Sequence, residues 1–520
     1  MPIVLVAIAI VGLKLINEPL RRSMEATLNE KLQGYSVRLP EIELRPLSLA
    51  VSLVGLSVRQ ITHPEPPVFE LRRMTAGIQW RALLSWALVA DLQVIGPRLH
   101  MDRRQMLAEA DDPVPVQDKG WQEAIQSIYP LKFNEVHLID GAMTYLDDPA
   151  HPFTLGAIDL VASNIRNVRS DAGTFPSPFR VRASVFENGS LSVDGAADFL
   201  ATPAPAVRAE IDLAKVPLQR FGPLVDDVNL RLRGGILAAA GAVESTREEG
   251  QRVLLRTATL DGLTVDYVHA RATAKAAAAR AEQVAAVAIE VANEPALRID
   301  VEQLHLANAT LGVVDQAATP DYRVFLDRAD IRVLNLSNRI DRGRGWVMVK
   351  GRFMGSGGSD LWASFFPDRK SPDANIAVQI RDTDMRAMNS LFKARGDFDV
   401  VGGRFSFFSE LYLSRGRIEG YIKPLFADVD VYDRRQDRGD GLGQQLYEGA
   451  LGGVAGLLEN RDDQTATLAR VSGRSDAPDL STWEIVVNLV RNAFFRAILP
   501  GLEHASMGIR SAPVIGTESE

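Results

Sequence analysis

Apolar residues occupy every second position along much of this chain, the spacing that puts them on one face of a β-strand. Near the N-terminus Tyr35, Val37 and Leu39 alternate with polar partners, and Ile42 and Leu44 follow. Leu47, Leu49, Val51 and Leu53 then share a face, with Leu56 and Val58 after Gly55. Further on, Ile376, Val378 and Ile380 alternate with Ala377, Gln379 and Arg381. Phe405, Phe407, Leu411 and Leu413 hold odd positions, Arg415-Gly416 predicts a turn, and Ile418, Gly420 and Ile422 run back. Residues 344–423 therefore read as a β-meander.

One β unit recurs. Val136–Asp147 aligns without a gap on Leu304–Asp315, 168 residues later, matching His137 to His305 and Asp140-Gly141 to Asn308-Ala309. In each copy alternating apolar positions surround the Asp/Asn-Gly/Ala pair, which predicts a strand, a turn and a second strand. Leu92–Met101 is a weaker third copy. Repetition of one β unit points to an extended, stacked sheet whose surface is the functional object.

Helical spacing is confined to a few segments. Ser23 to Gly34 predicts a short helix, capped by Ser23 and striped by Met24, Leu28 and Leu32. Trp80–Ala90 predicts a short helix or turn, and Trp121–Tyr129 a helix ended by Pro130. The Ala-rich stretch 270–293 predicts a helical linker or insertion. Two amphipathic helices close the chain, one on Leu442, Leu446, Ala450, Val454 and Leu457, the other on Trp483, Val486, Val487, Val490, Phe494 and Ala497. The fold class is mainly β, with a long, twisted, mostly antiparallel sheet. Its expected parts are residues 1–22, a β segment 23–269, the linker 270–293, a second β segment 294–438, and a helical cap and tail 439–520.

Pro2 to Ile16 is apolar apart from Lys14 and is followed by Glu18 and Arg21-Arg22. The stretch falls short of the ~20 residues that cross a bilayer, and it lacks the basic start and small-residue cleavage site of a signal peptide. Three readings stand. It is an uncleaved membrane anchor with its start missing, built on Ile3, Val4, Leu5, Val6, Ile8, Ile10, Val11 and Leu13; a divergent signal peptide; or a buried helix. Arginines after the apolar stretch favour a cytoplasmic body by the positive-inside tendency, and a basic extension ahead of it would reverse that.

Composition narrows the function more than the fold. The 520 residues are 46% hydrophobic, ample for a core. With 58 basic against 66 acidic residues and no basic block interleaved with aromatics, nucleic acid is not an expected partner. The absence of cysteine removes thiol catalysis, thiolate metal sites and disulfides together. Seven histidines never share a helical turn, and no HExxH, Walker A or GxSxG sequence is present. Asp428, Asp430 and Asp433 could be imagined as cation ligands, but solvated charges on a strand edge explain them as well. No catalytic residue, metal or cofactor is expected, and the chain reads as non-enzymatic.

Several stretches resemble the AsmA-like family of bacterial envelope proteins. Near the N-terminus these are Leu28–Tyr35, Ile42, Pro46–Leu49 and Leu53–Val58, then Gly96–Leu99. The more specific likeness is C-terminal: Gly420–Phe426, Val431–Asp433, Asn492–Phe495 and Ile498–Gly501. That combination looks like the branch long catalogued as a domain of unknown function. The resemblance implies an inner-membrane anchor, a periplasmic body, and a sheet rolled into an open groove with an apolar lining, similar in architecture to bridge-like lipid-transfer proteins.

On that resemblance the expected partners are phospholipids and the inner membrane, together with the outer membrane or a protein in it. The expected role is phospholipid transport between the two membranes, or outer-membrane lipid homeostasis. Groove candidates are Ile42, Leu44, Leu49, Val51, Leu53, Phe405, Phe407, Leu411 and Leu413, although residues of this kind, taken one by one, are more often ordinary core than lipid contacts. The alternative is an envelope scaffold or assembly factor that binds protein clients by strand addition.

Overall fold

Among the described residues the alternating segments form 24 strands of one hydrogen-bonded, mostly antiparallel sheet. In this computed structural model the described residues are 2–45, 49–78, 90–110, 112, 114, 119, 133–146, 152–165, 175–199, 206–222, 225, 229–246, 250–270, 297–339, 342–366, 373–396, 399–414, 417–432, 464–466 and 469–474. The expected helices at 80–90, 121–129, 442–457 and 483–499 and the linker 270–293 fall wholly or almost wholly outside them. Two compact units divide the chain, residues 1–223 with 238–251, and residues 224–237 with 252–520.

The first unit opens with helix α1 (Pro2–Lys31). It continues through β1 (Tyr35–Arg38), β2 (Glu41–Arg45), β3 (Ala50–Val54), β4 (Ser57–Gln60), β5 (Phe69–Glu70), β6 (Arg73–Ile78), β7 (Ala90–Ile95) and β8 (Arg98–Asp102). A helix over Arg103–Ala110 follows. The expected short helix at residues 23–34 is thus the end of a longer one. Leu28 of α1 and Leu32 just after it bury against Val37, Leu39, Ile42, Leu53, Val58 and Val94, a core supplied by both arms of a forked sheet. The fork lies on β9 (Phe133–Leu146), whose first half pairs in parallel with β7 and whose second half pairs with β8.

Edge strand β1 pairs only with β4 among the described strands, and α1 satisfies its other side. Asn29 accepts from the Val37 amide and donates to its carbonyl, both at 2.8 Å. Two residues on, Glu25 accepts from the Leu39 amide at 2.9 Å and Arg21 donates to the Leu39 carbonyl at 2.8 Å. Side chains four apart on a helix thus meet the outward groups of a strand two apart, which removes the unpaired edge.

The repeated unit is not a strand–turn–strand. β9 is one continuous strand, and residues on both sides of Asp140-Gly141 pair with the same neighbour, β10 (Phe153–Ser163). Asp140 (φ 54°) is a bulge in the left-handed region, and its counterpart Asn308 (φ 52°) does the same inside β16 (Leu297–Asp315). Asp and Asn tolerate that conformation, and a bulge bends the strand and sharpens its twist.

The duplication runs far beyond those twelve residues. After β9 and β10 come β11 (Ser177–Val185), β12 (Gly189–Asp198), β13 (Ala206–Pro217), a 3₁₀ turn (Leu218–Phe221), β14 (Leu230–Thr246) and β15 (Gly250–His269). After β16 come β17 (Tyr322–Ser337), β18 (Gly345–Phe353), β19 (Gly357–Phe366), β20 (Asp373–Asp384), a 3₁₀ turn (Met385–Met388), a helix (Asn389–Gly396), β21 (Asp399–Ser414) and β22 (Arg417–Tyr432). The short strands β23 (Gln464–Ala466) and β24 (Ala469–Arg474) pair with β22. Left-handed residues recur at the same spacing, Phe186 with Met354 and Gly235 with Gly403. We call β9–β15 repeat 1 and β16–β22 repeat 2.

Candidate functional site: the apolar face

Register places the apolar residues of successive strands in rows. In the first unit Leu138, Leu160, Val181, Val193 and Ile211 are direct cross-strand neighbours over β9–β13. Beside them runs Val136, Ala162, Phe179, Gly195 and Ala209. The opposite face carries His137, Val161, Arg180, Asp194 and Glu210. One face is therefore apolar and the other largely charged, as the period of two dictates. All five residues of the first row are half-buried, and none belongs to a buried hydrophobic cluster of the described residues.

Repeat 2 builds the same kind of face over seven strands, with the row Leu304, Val333, Val347, Ala363, Ile376, Leu411 and Gly420. Here the chain covers its own surface. Met385 and Met388 of the 3₁₀ turn, with Leu391 and Phe392 of the helix after it, join Ile376, Ile380, Phe405, Phe407 and Leu411 in one buried cluster. The turn is capped by Asp384, which accepts from the Arg386 amide. Asn389 ties the helix to β21 by accepting from and donating to Val400, both at 2.8 Å.

The groove candidates read from sequence divide between two cores. Phe405, Phe407, Leu411 and Leu413 are at most 2% exposed in the repeat 2 cluster. Ile42 and Leu53 are cross-strand partners, also at most 2% exposed, beneath α1. Leu44 and Val51 pair at the margin of that core and are half-buried. Leu49 sits at the preceding turn with φ 45°. The anchor candidates Ile3 to Leu13 lie in the first part of α1, where side chains are outside the described residues. Among the described residues no helix is long and apolar enough to cross a membrane. The half-buried row of repeat 1 was not singled out from sequence. Its alternation is plain in each segment, but register is what joins the segments.

Polar groups are mostly spent on fixing the frame. Lys119, 3% exposed at its side chain, bonds Glu109 and, at 2.9 Å, Asp112. Glu109 also accepts from Tyr35 at 2.6 Å and Gln60 at 2.9 Å. Burial opposes the charge on Glu109, but the bonds from Lys119, Tyr35 and Gln60 outweigh it and hold the carboxyl below its usual range. Burial, followed by the bond to Glu109, pushes the Tyr35 phenol up. In the second unit Asp300 follows the same logic, with burial outweighed by Ser337, Arg298 and Arg342.

The repeated histidines do not meet in one site: His137 pairs with Glu135 at 2.9 Å, and His305 with Asp330 at 2.8 Å. Asp428 is a bulge residue (φ 52°) bonded to Arg404 at 2.6 Å. Among the described residues no group of three or more His, Asp or Glu is placed to hold a metal. No family model and no curated protein matches this chain.

Proposed function

We propose that this chain is a lipid carrier of the bacterial envelope: anchored in the inner membrane by its first residues, with its body in the periplasm, it moves phospholipid between inner and outer membranes or maintains the outer membrane's lipids. The observation that carries this reading is the half-buried apolar row Leu138–Leu160–Val181–Val193–Ile211, set opposite a charged face on the same strands. Covering such a face with something apolar is favourable, and an acyl chain contributes roughly 0.8 kcal/mol per buried methylene. The bulges at Asp140 and Asn308 bend long strands, as a sheet rolled into a groove requires. The sequence resemblance to AsmA-like proteins supports the same reading. No catalysis is needed, only an apolar path.

The reading is tested by purifying the body without its first 22 residues, extracting it with organic solvent and identifying the extract by mass spectrometry. Stoichiometric phospholipid is expected. A folded protein that yields none refutes it. Strand addition by a protein client has less support at the first edge of the sheet, where the outward groups of Val37 and Leu39 are already bonded by α1.

A further inference from the structure

The face of repeat 2 that turns away from its buried cluster departs from a pattern that repeat 1 keeps. β11 and β12 lie 168 residues before β18 and β19, so ladder positions can be matched one to one. In repeat 1 Arg180, Asp194 and Glu210 are cross-strand neighbours on β11, β12 and β13, and Arg180 and Asp194 form an ion pair. The same positions on β18, β19 and β20 carry Met348, Trp362 and Ala377. Beside them Leu334, Trp346, Ser364, Asn375 and Tyr412 make the next row. The indoles of Trp346 and Trp362 meet at 5.3 Å between centroids, yet Trp362 stays 40% and Tyr412 50% exposed. Exposed aromatic and apolar residues inside a charged rim are the anatomy of a protein interface. The rim itself is ordered: the row Arg332, Met348, Trp362, Ala377 and Glu410 opens on a cation and closes on an anion.

We infer that this outer face of repeat 2 docks a second copy of the chain, related by a two-fold axis that runs along β19. Such an axis reverses the order of the strands, so that β17 of one copy faces β21 of the other, and β18 faces β20. Arg332 then lies over Glu410 of the second copy, and Glu410 over its Arg332. In the neighbouring row Leu334 meets Tyr412, and Trp346 meets Asn375, whose amide oxygen can accept from the indole N–H. Trp362 meets its own counterpart on the axis. Arg332 bonds Asp330 at 3.2 Å and keeps a side chain 55% exposed, with further N–H donors to give. Glu410 accepts from the neutral phenols of Tyr412 and Tyr421, which leave its charge in place. One like-charge contact opposes the pairing, at Asp360 on the axis, and Arg381 stands 3.9 Å from it to offset the repulsion. The mirrored order of charges is what selects a second copy, since a bilayer surface would meet Asp360 and Glu410 as readily as Arg332. Lipid carriage does not depend on this contact.

The test follows sedimentation of the full chain in detergent over a range of concentrations, where the unaltered protein is expected to dimerise reversibly. Arg332→Glu alone and Glu410→Arg alone should each weaken the dimer at least about tenfold. An equimolar mixture of the two variants should pair as tightly as the unaltered chain, because both charge contacts are then restored. Met348→Arg with Trp362→Asp installs the residues that repeat 1 carries at these positions, and should give monomer with an unchanged melting midpoint. Protein that stays monomeric at every concentration overturns the inference, and so does a dimer indifferent to these changes. Single variants that melt normally but do not rescue each other exclude the two-fold. Monomer that floats with phosphatidylcholine vesicles, and no longer does so after Trp362→Asp, assigns the face to a bilayer instead.

Discussion

Replacing Phe392 by Ala tests whether the helix after β20 is a structural cover. The ring is 1% exposed and packs among Met388, Leu391 and Phe405. Phe→Ala in a core costs about 3–5 kcal/mol, transfer and cavity together. For a unit of this size each kcal/mol lowers the melting midpoint by roughly 2–4 °C, so the second unit should melt about 6–20 °C earlier. Val193→Ala is the contrast. It removes two methyl groups worth ~0.8 kcal/mol each when fully buried, and Val193 is half-buried, so the loss is about 0.8 kcal/mol and roughly 2–3 °C. Scanning calorimetry on both lipid-free variants reads the difference directly. If Phe392→Ala shifts the midpoint no more than Val193→Ala does, the helix contributes no core.

Other changes probe the frame. Asn308→Val forces a β-branched residue to φ 52° and should cost about 1–3 kcal/mol, whereas Asn308→Gly should be close to neutral; equal denaturation midpoints for the two would refute the bulge. Asn29→Leu removes both bonds to Val37, about 1–3 kcal/mol in all, and should raise self-association in size-exclusion chromatography by freeing the β1 edge; a monomeric variant of unchanged stability contradicts the edge-sealing role. Acid should weaken the protein only late. Glu109 and Asp300 are held below the ordinary carboxylate range, so their stabilisation is complete above about pH 4 and is lost as pH falls through the lower folded values. A melting midpoint that starts to fall near pH 6 would show that other groups govern, and Lys119→Met should flatten the acid limb.

How far the sequence could be read is clearest at the repeated dipeptides. Asp140-Gly141 and Asn308-Ala309 announce a residue in the left-handed region, and sequence says no more than that. A turn and a bulge both use such a residue. The outcome depends on whether the flanking segments pair with each other or with a common neighbour, and β10 supplied that neighbour for β9. The helix over Asn389–Gly396 escaped notice for a related reason: eight residues are too few for a helical period to stand out.

Alternation alone determined which residues share a face. Val51 faces with Leu53, and Phe405 with Phe407 and Leu411, because successive side chains on a strand must point to opposite sides. What lies on each face was decided only in three dimensions. Phe407 shares one closed core with Met385, Leu391 and Phe392, Leu53 shares its core with Leu28 of α1, and Val193 is half-buried. A strand's period is a local property of the backbone, whereas its cover comes from residues remote in sequence or from another molecule.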